Sequence, residues 1–197
     1  DSSTSRGLGD VYKRQGANRG IGAEIAKAAL AAGDSVVVTG RNVEQLRQKF
    51  NCSDKALVLA LDVTDITQAL DAVEATIKHF GRIDVLVNNA GYGQLGVFEE
   101  IPQADVERQF ATNVFGLMNV TRAVLPLMRA QRSGRIFNLS SIGGALGFDA
   151  ASVYCATKFA VEGFTESLAL EVKGLGIEVN IVEPGFFRTD FLDSSSV

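Results

Sequence analysis

Two side chains one helical turn apart carry the clearest chemistry in this 197-residue chain, Tyr154 and Lys158 in the run YCATK. Residues four apart share a helix face, so the phenol and the ammonium point the same way. A free phenol ionises near about pH 10, and a neighbouring cation favours the phenolate and lowers that value. Such a pair can give and take a proton near neutrality. Alone, this spacing also arises by chance. A second signal is the glycine-rich run 16–22 (GANRGIG), with Gly16, Gly20 and Gly22 at the mouth of a helix-like segment. Glycines let the backbone approach a ligand, and a helix N-terminus offers free N–H groups and a positive dipole end, which suits a pyrophosphate. A Gly-rich turn is more often just a turn; the helix behind it raises its interest. Asn88-Asn89-Ala90-Gly91 and the pair Ser140-Ser141 each follow an apolar run, where a turn or a helix cap is the ordinary reading.

Composition excludes several alternatives. Lys and Arg number 19 against 23 Asp and Glu, a net charge of −4, which fits neither nucleic acid nor an anionic membrane surface. There is one histidine, His79, and there are two cysteines, Cys52 and Cys155. A Cys/His zinc site is excluded, as is a His-dependent triad unless His79 is its base. A disulfide framework does not fit either, so a reducing, cytoplasmic location is expected, and no signal peptide or membrane span is read in the chain. Cys155 reads as a packing cysteine rather than a reactive thiol.

The elements that must position these groups follow from the hydrophobic pattern. Short apolar runs at 35–39 (SVVVT), 56–61 (ALVLAL), 83–87 (IDVLV), 135–139 (RIFNL) and 177–182 (IEVNIV) read as strands. Helical spacing occupies 21–32, 43–50, 66–80, 103–131 as one or two segments, and 152–173, with Gly33 and Gly81 as stops. Strands apolar on both faces that alternate with helices predict a parallel sheet covered on both sides, an α/β, Rossmann-like doubly wound fold. Residues 1–15 are polar and lack a β-branched run, so they read as a non-native or disordered tail outside the fold.

The end of the 35–39 strand carries Gly40 and Arg41 where an NAD site expects an acid about 20 residues beyond the glycine loop. Arg19 lies within that loop. Two guanidinium groups there favour a 2′-phosphate and hence NADP(H), with NAD(H) the other possibility; Arg41 would otherwise be an exposed helix-start residue.

The ordered set Gly16-x-x-x-Gly20-x-Gly22, Asp62-Val63, Asn88-Asn89-Ala90-Gly91, Asn113, Ser141, Tyr154-x-x-x-Lys158 and Pro184-Gly185-x-x-x-Thr189 resembles the short-chain dehydrogenase/reductase family in its compact form, from Gly16 to about Phe191. The resemblance implies an NADP-dependent oxidoreductase that interconverts a carbonyl and a secondary alcohol by hydride transfer. It implies Asn113, Ser141, Tyr154 and Lys158 as catalytic residues, with Tyr154 as general acid or base, Lys158 tuning it, Ser141 bonding the carbonyl oxygen and Asn113 holding a water of a proton relay. For Asn113, a helix-interior Asn bonded to nearby backbone is the alternative. The resemblance also implies cofactor contacts from Gly16, Asn18, Arg19, Gly20, Ile21, Gly22, Arg41, Asp62, Val63, Asn89, Tyr154, Lys158, Phe187 and Thr189. Asp62 could equally be a helix N-cap, and Thr189 a simple capping hydroxyl.

Two departures stand out: Gln15 and a polar tail replace the family's first strand, and the family continues past Thr189. The chain is therefore expected to be one dinucleotide-binding domain over 16–197, incomplete at both ends. Small and apolar residues at 142–153, with Tyr92, Gly93 and Phe186, suggest an apolar carbonyl or alcohol as substrate. A homodimer or homotetramer through the helices at 103–131 and 152–173 is implied by the resemblance. A catalytically silent dinucleotide-binding sensor or scaffold, or an inactive fragment of an active reductase, is the alternative.

Overall fold

The computed structural model describes the backbone of residues 10–13, and residues 20–50 and 54–185 in full. Six strands, β1 (Asp10–Lys13), β2 (Val36–Gly40), β3 (Ala56–Ala60), β4 (Val85–Asn88), β5 (Gly134–Leu139) and β6 (Ile177–Val182), form one sheet in the order β3-β2-β1-β4-β5-β6. Every pair is parallel. The order reverses between β1 and β4, and an open α/β sheet has its ligand crevice at the carboxyl ends of the strands flanking such a point.

Period-2 alternation explains how one sheet supports two cores. Val36 and Val38 of β2 face a cluster with Ala23 and Ala26 of α1 (Ile21–Ala31) and Leu46 and Phe50 of α2 (Val43–Phe50). Leu86 of β4 and Ile136 of β5 face the other way, into a cluster with Ala69, Ala72 and Val73 of α3 (Ile66–Phe80). That second cluster continues through Val120, Val124 and Met128 of α5 (Leu117–Gln131) and Leu168 of α6 (Ser152–Glu171). The doubly wound arrangement expected from the apolar runs is the arrangement found.

Helix limits follow their chemistry. Asp65 caps α3 by accepting from the backbone N–H groups of Thr67 and Gln68 at 2.8 and 3.4 Å, and Gly81 ends it in the left-handed region at φ 79°. The 103–131 region is one helical path in three parts: α4 (Gln103–Phe110), a π-helical turn at Ala111–Gly116, and α5.

One expectation needs correction. The segment before Gly16, read as lying outside the fold, contributes β1, paired on both sides, with Val11 opposite Val37 on one flank and Leu86 on the other. Parallel pairing uses main-chain groups, which any non-proline residue supplies. A reading based on side-chain type missed it for that reason.

Candidate active site at the carboxyl edge of the sheet

The first turns of α6 face the ends of β4 and β5. Lys158 is buried, and its Nζ donates to the carbonyl of Leu139, the last residue of β5, at 2.7 Å. The same nitrogen lies 5.8 Å from the centre of the half-buried Tyr154 ring. A buried ammonium needs oxygen partners, and the strand end supplies one. Ser141, the second residue after β5, accepts the Gly143 N–H on its Oγ at 3.2 Å and opens the short 3₁₀ turn Ile142–Gly144. That turn abuts Tyr154: a Cβ on Gly143 would stand 3.2 Å from Tyr154 Cε1 and 3.4 Å from Cys155 Sγ. Cys155 is buried in this contact, as a packing cysteine would be.

Asn113 joins the group through the π-turn. Its side chain is buried and grips the backbone of Tyr92, accepting from the N–H at 3.1 Å and donating to the carbonyl at 2.9 Å. It also donates to Thr157 Oγ1 at 3.1 Å. A Cβ on Gly91 would lie 3.2 Å from Asn113 Oδ1 and 3.7 Å from Lys158 Nζ, so both side chains converge on the Asn-Asn-Ala-Gly turn. The alternative of an Asn bonded to local helix backbone is corrected: its backbone partner is 21 residues away.

The start of α1 packs against the Asn-Asn-Ala-Gly turn. Gly20 precedes α1 at φ 74°, and among the described residues no side chain caps the helix there. A Cβ on Gly22 would stand only 2.7 Å from Asn89 Nδ2. Asn89 is buried, and its Nδ2 has no hydrogen-bond partner among the described residues. A buried, unsatisfied donor beside a glycine-opened helix N-terminus fits an oxygen-rich ligand such as a dinucleotide.

Asp62 forms a turn at the end of β3, its Oδ1 accepting from Thr64 N and Oγ1 at 3.0 and 2.7 Å, while Asp65 takes the cap role. Val63 is buried, and its carbonyl accepts from Asn119 Nδ2 at 2.9 Å. Arg41 is exposed at the end of β2, and Ile21 begins α1. Gly16, Asn18, Arg19, Phe187 and Thr189 lie outside the described residues, as does Phe186.

Several polar groups near the site, Thr121, Asn138 and Thr165, were not singled out by sequence reasoning. Asn88 donates to Thr121 Oγ1 at 2.9 Å and to Asn138 Oδ1 at 2.8 Å, and Asn138 donates to Thr165 Oγ1 at 2.9 Å. The only sequence signal was an Asn inside the otherwise apolar strand RIFNL. Tyr92, expected to line a substrate pocket, is itself buried. Burial pushes its phenol pKa up, against the opposing fields of Arg108 and Arg41. Its hydroxyl makes no hydrogen bond of ordinary geometry among the described residues. Outside it, Leu95, Val97, Phe98, Leu146 and Phe148 are exposed on two loops tied by a 2.8 Å bond from Gly96 N to the Ala150 carbonyl.

Comparison with known proteins identifies the family of the fold. A family model described as "short chain dehydrogenase" matches residues 15–196. The chain is 47% identical over 182 residues to Oxidoreductase BOA17 of Botryotinia fuckeliana, covering 91% of this chain and 66% of that protein. The chain thus spans just under two thirds of the length of this relative. Among solved structures, ElxO with NADP bound superposes with a TM-score of 0.87 at 33% identity, covering 94% of this chain and 76% of the other. A short-chain dehydrogenase/reductase from Burkholderia phymatum in complex with NAD superposes with a TM-score of 0.91 at 26% identity, covering 97% and 70%.

Proposed function

The chain belongs to the short-chain dehydrogenase family, and from that premise we propose that it serves an NADP(H)-dependent oxidoreductase interconverting an apolar carbonyl and a secondary alcohol. The observation that supports this reading best is the convergence of Tyr154, Lys158, Asn113 and the Ser141 turn at the carboxyl ends of β4 and β5.

A nicotinamide cofactor held at this edge of the sheet would supply the hydride in reduction and accept it in oxidation. Tyr154 donates the proton to the carbonyl oxygen, or removes it from the alcohol. Lys158, with its positive charge near the phenol, makes that proton easier to lose. Ser141 donates a hydrogen bond to the same oxygen and stabilises its developing charge. Asn113, tied to Tyr92 and Thr157, holds the water through which the proton is replaced. Gly20, Ile21 and Gly22 at the start of α1, together with Asn89, Asp62 and Val63, bind the dinucleotide; Gly16, Asn18, Arg19, Phe187 and Thr189 belong to the same site by their place in the family pattern.

Arg41 and Arg19 select a 2′-phosphate, giving NADP(H) preference; the NADP-bound ElxO supports this choice, and the NAD-bound Burkholderia enzyme shows that close folds take either cofactor. The exposed apolar side chains on the two loops beside the site support an apolar substrate. Exposed Phe115 and Phe159 support self-association through α4, α5 and α6. No helix among the described residues is long and apolar enough to cross a membrane. The low cysteine count, two in the chain, supports a reducing, cytoplasmic location.

The test is NADPH oxidation, followed by absorbance, with acetophenone, cyclohexanone and a long-chain methyl ketone. Turnover abolished by Tyr154→Phe supports the reading. NADPH binding without turnover of any ketone favours a dinucleotide sensor instead.

A further inference from the structure

Beneath the Ser141 turn sit two buried oxygens that the proposed reaction does not use. Ser140 is 4% exposed, and its Oγ has no hydrogen-bond partner among the described residues. Glu162 Oε1 is likewise buried and unpartnered. Both converge on Gly144: a Cβ there would stand 2.7 Å from Glu162 Oε1 and would collide with Ser140 Oγ. One group is a hydroxyl donor and the other a carboxylate acceptor, so each supplies what the other lacks. A buried polar atom left unsatisfied is costly and calls for a cause.

Their place in the chain suggests that cause. Glu162 is one turn beyond Lys158 on α6, so the two share a face. Lys158 holds the carbonyl of Leu139, and Ser140 is the next residue. Ser140 N in turn donates to the Val182 carbonyl at 2.8 Å, which fixes that residue to β6. The Gly144 N–H donates to the Ser141 carbonyl at 2.8 Å, closing the turn from the other end. Lys158 thus bonds the strand end while Glu162, one turn on, lies against Gly144 in the turn that follows it.

We propose that Glu162 is a positioning residue: its carboxylate oxygen and the Ser140 hydroxyl, both seated on the bare face of Gly144, pair once the hydroxyl rotates toward the carboxylate, and so register the Ser141 turn against Tyr154 and Lys158. This rests on the catalytic reading of Ser141. It also accounts for glycine at position 144, since any side chain would push the two oxygens apart.

The test is a mutant cycle in the full chain, measured by NADPH oxidation with the fastest ketone of the panel and by thermal unfolding. Glu162→Ala and Ser140→Ala each lower kcat about tenfold, the scale of a small misplacement of a reacting group, and leave KM for NADPH within about twofold. The double variant is no slower than either single one, because the two act as a unit. Glu162→Gln recovers most of kcat, because its amide oxygen still accepts the Ser140 hydroxyl. Additive losses, or unchanged kcat in both single variants while Ser141→Ala disables turnover, overturn the role of Glu162 alone. Unchanged turnover in Ser141→Ala overturns the catalytic reading itself, and this proposal with it. A kcat loss in Glu162→Ala matched by collapse of the unfolding midpoint, and not rescued in Glu162→Gln, also overturns it.

Discussion

Lys158 Nζ sits 5.8 Å from the centre of the Tyr154 ring while bonded to the Leu139 carbonyl at 2.7 Å. The helix sets the first relationship through its i,i+4 spacing, and the sheet sets the second. The ammonium is thereby held as a fixed charge near the phenol rather than a freely rotating one. Ordering costs that an exposed Lys–Tyr pair would incur in each catalytic cycle are met once, on folding.

Tyr154→Phe removes the proton donor and keeps the ring against Gly143. Turnover falls by about 10²- to 10⁴-fold, the range for loss of a general acid. NADPH affinity, read by fluorescence titration, changes little. Near-normal turnover would reject the assignment.

Arg41→Asp exchanges a cation for an acid at the end of β2, where a ribose acid favours NAD. Loss of a charge-assisted hydrogen bond is worth about 1.5–3 kcal/mol, so NADPH preference in kcat/KM shifts toward NADH by roughly ten- to a hundredfold. Unchanged selectivity would remove Arg41 from the phosphate site.

Asn138→Leu breaks the buried chain that links Asn88 to Thr165. The groups left without a partner cost about 1–3 kcal/mol of stability, measurable by urea unfolding. Gln103→Ala on the exposed surface of α4 is the control and shifts the midpoint little.

Acid stability depends on Asp65. Hydrogen bonds from the Gln68 side chain and from the backbone N–H groups of Gln68 and Thr67 hold its carboxyl below the usual carboxylate range. Its stabilising contribution is therefore full above the unfolded-state value and is lost as pH falls through the lower folded value. Asp65→Ala lowers the unfolding midpoint at neutral pH, and the gap to the parent chain closes in acid. The sign reverses for Tyr92, whose pKa burial raises: folding favours the neutral phenol, so stability declines as pH climbs past about 10, and Tyr92→Phe flattens that alkaline limb. Parallel pH curves for parent and variant would contradict either account.

Most of the fold was legible in the residue order because its signals are local. Apolar runs marked β2 through β6, Gly81 marked a helix end, and Tyr154 and Lys158 declared a shared face through spacing alone. Where the determining contact is main-chain or distant, the side-chain pattern was silent. β1 escaped notice because its pairing with β2 and β4 uses backbone groups. Asp62 read as a possible helix N-cap, but the helix starts three residues later and Asp65 caps it.

The sequence by itself determined the alternation of strands and helices, the phenol–ammonium pair and the family pattern, since each depends on periodicity or order along one stretch of chain. Only the tertiary structure decided that Asn113 reaches Tyr92 rather than its own helix, that Asn89 holds a buried donor with no partner among the described residues, and that Ser140 Oγ and Glu162 Oε1 both lie against Gly144. Those relationships join residues that are far apart in the chain, and their energetics come from burial, which no single segment can create.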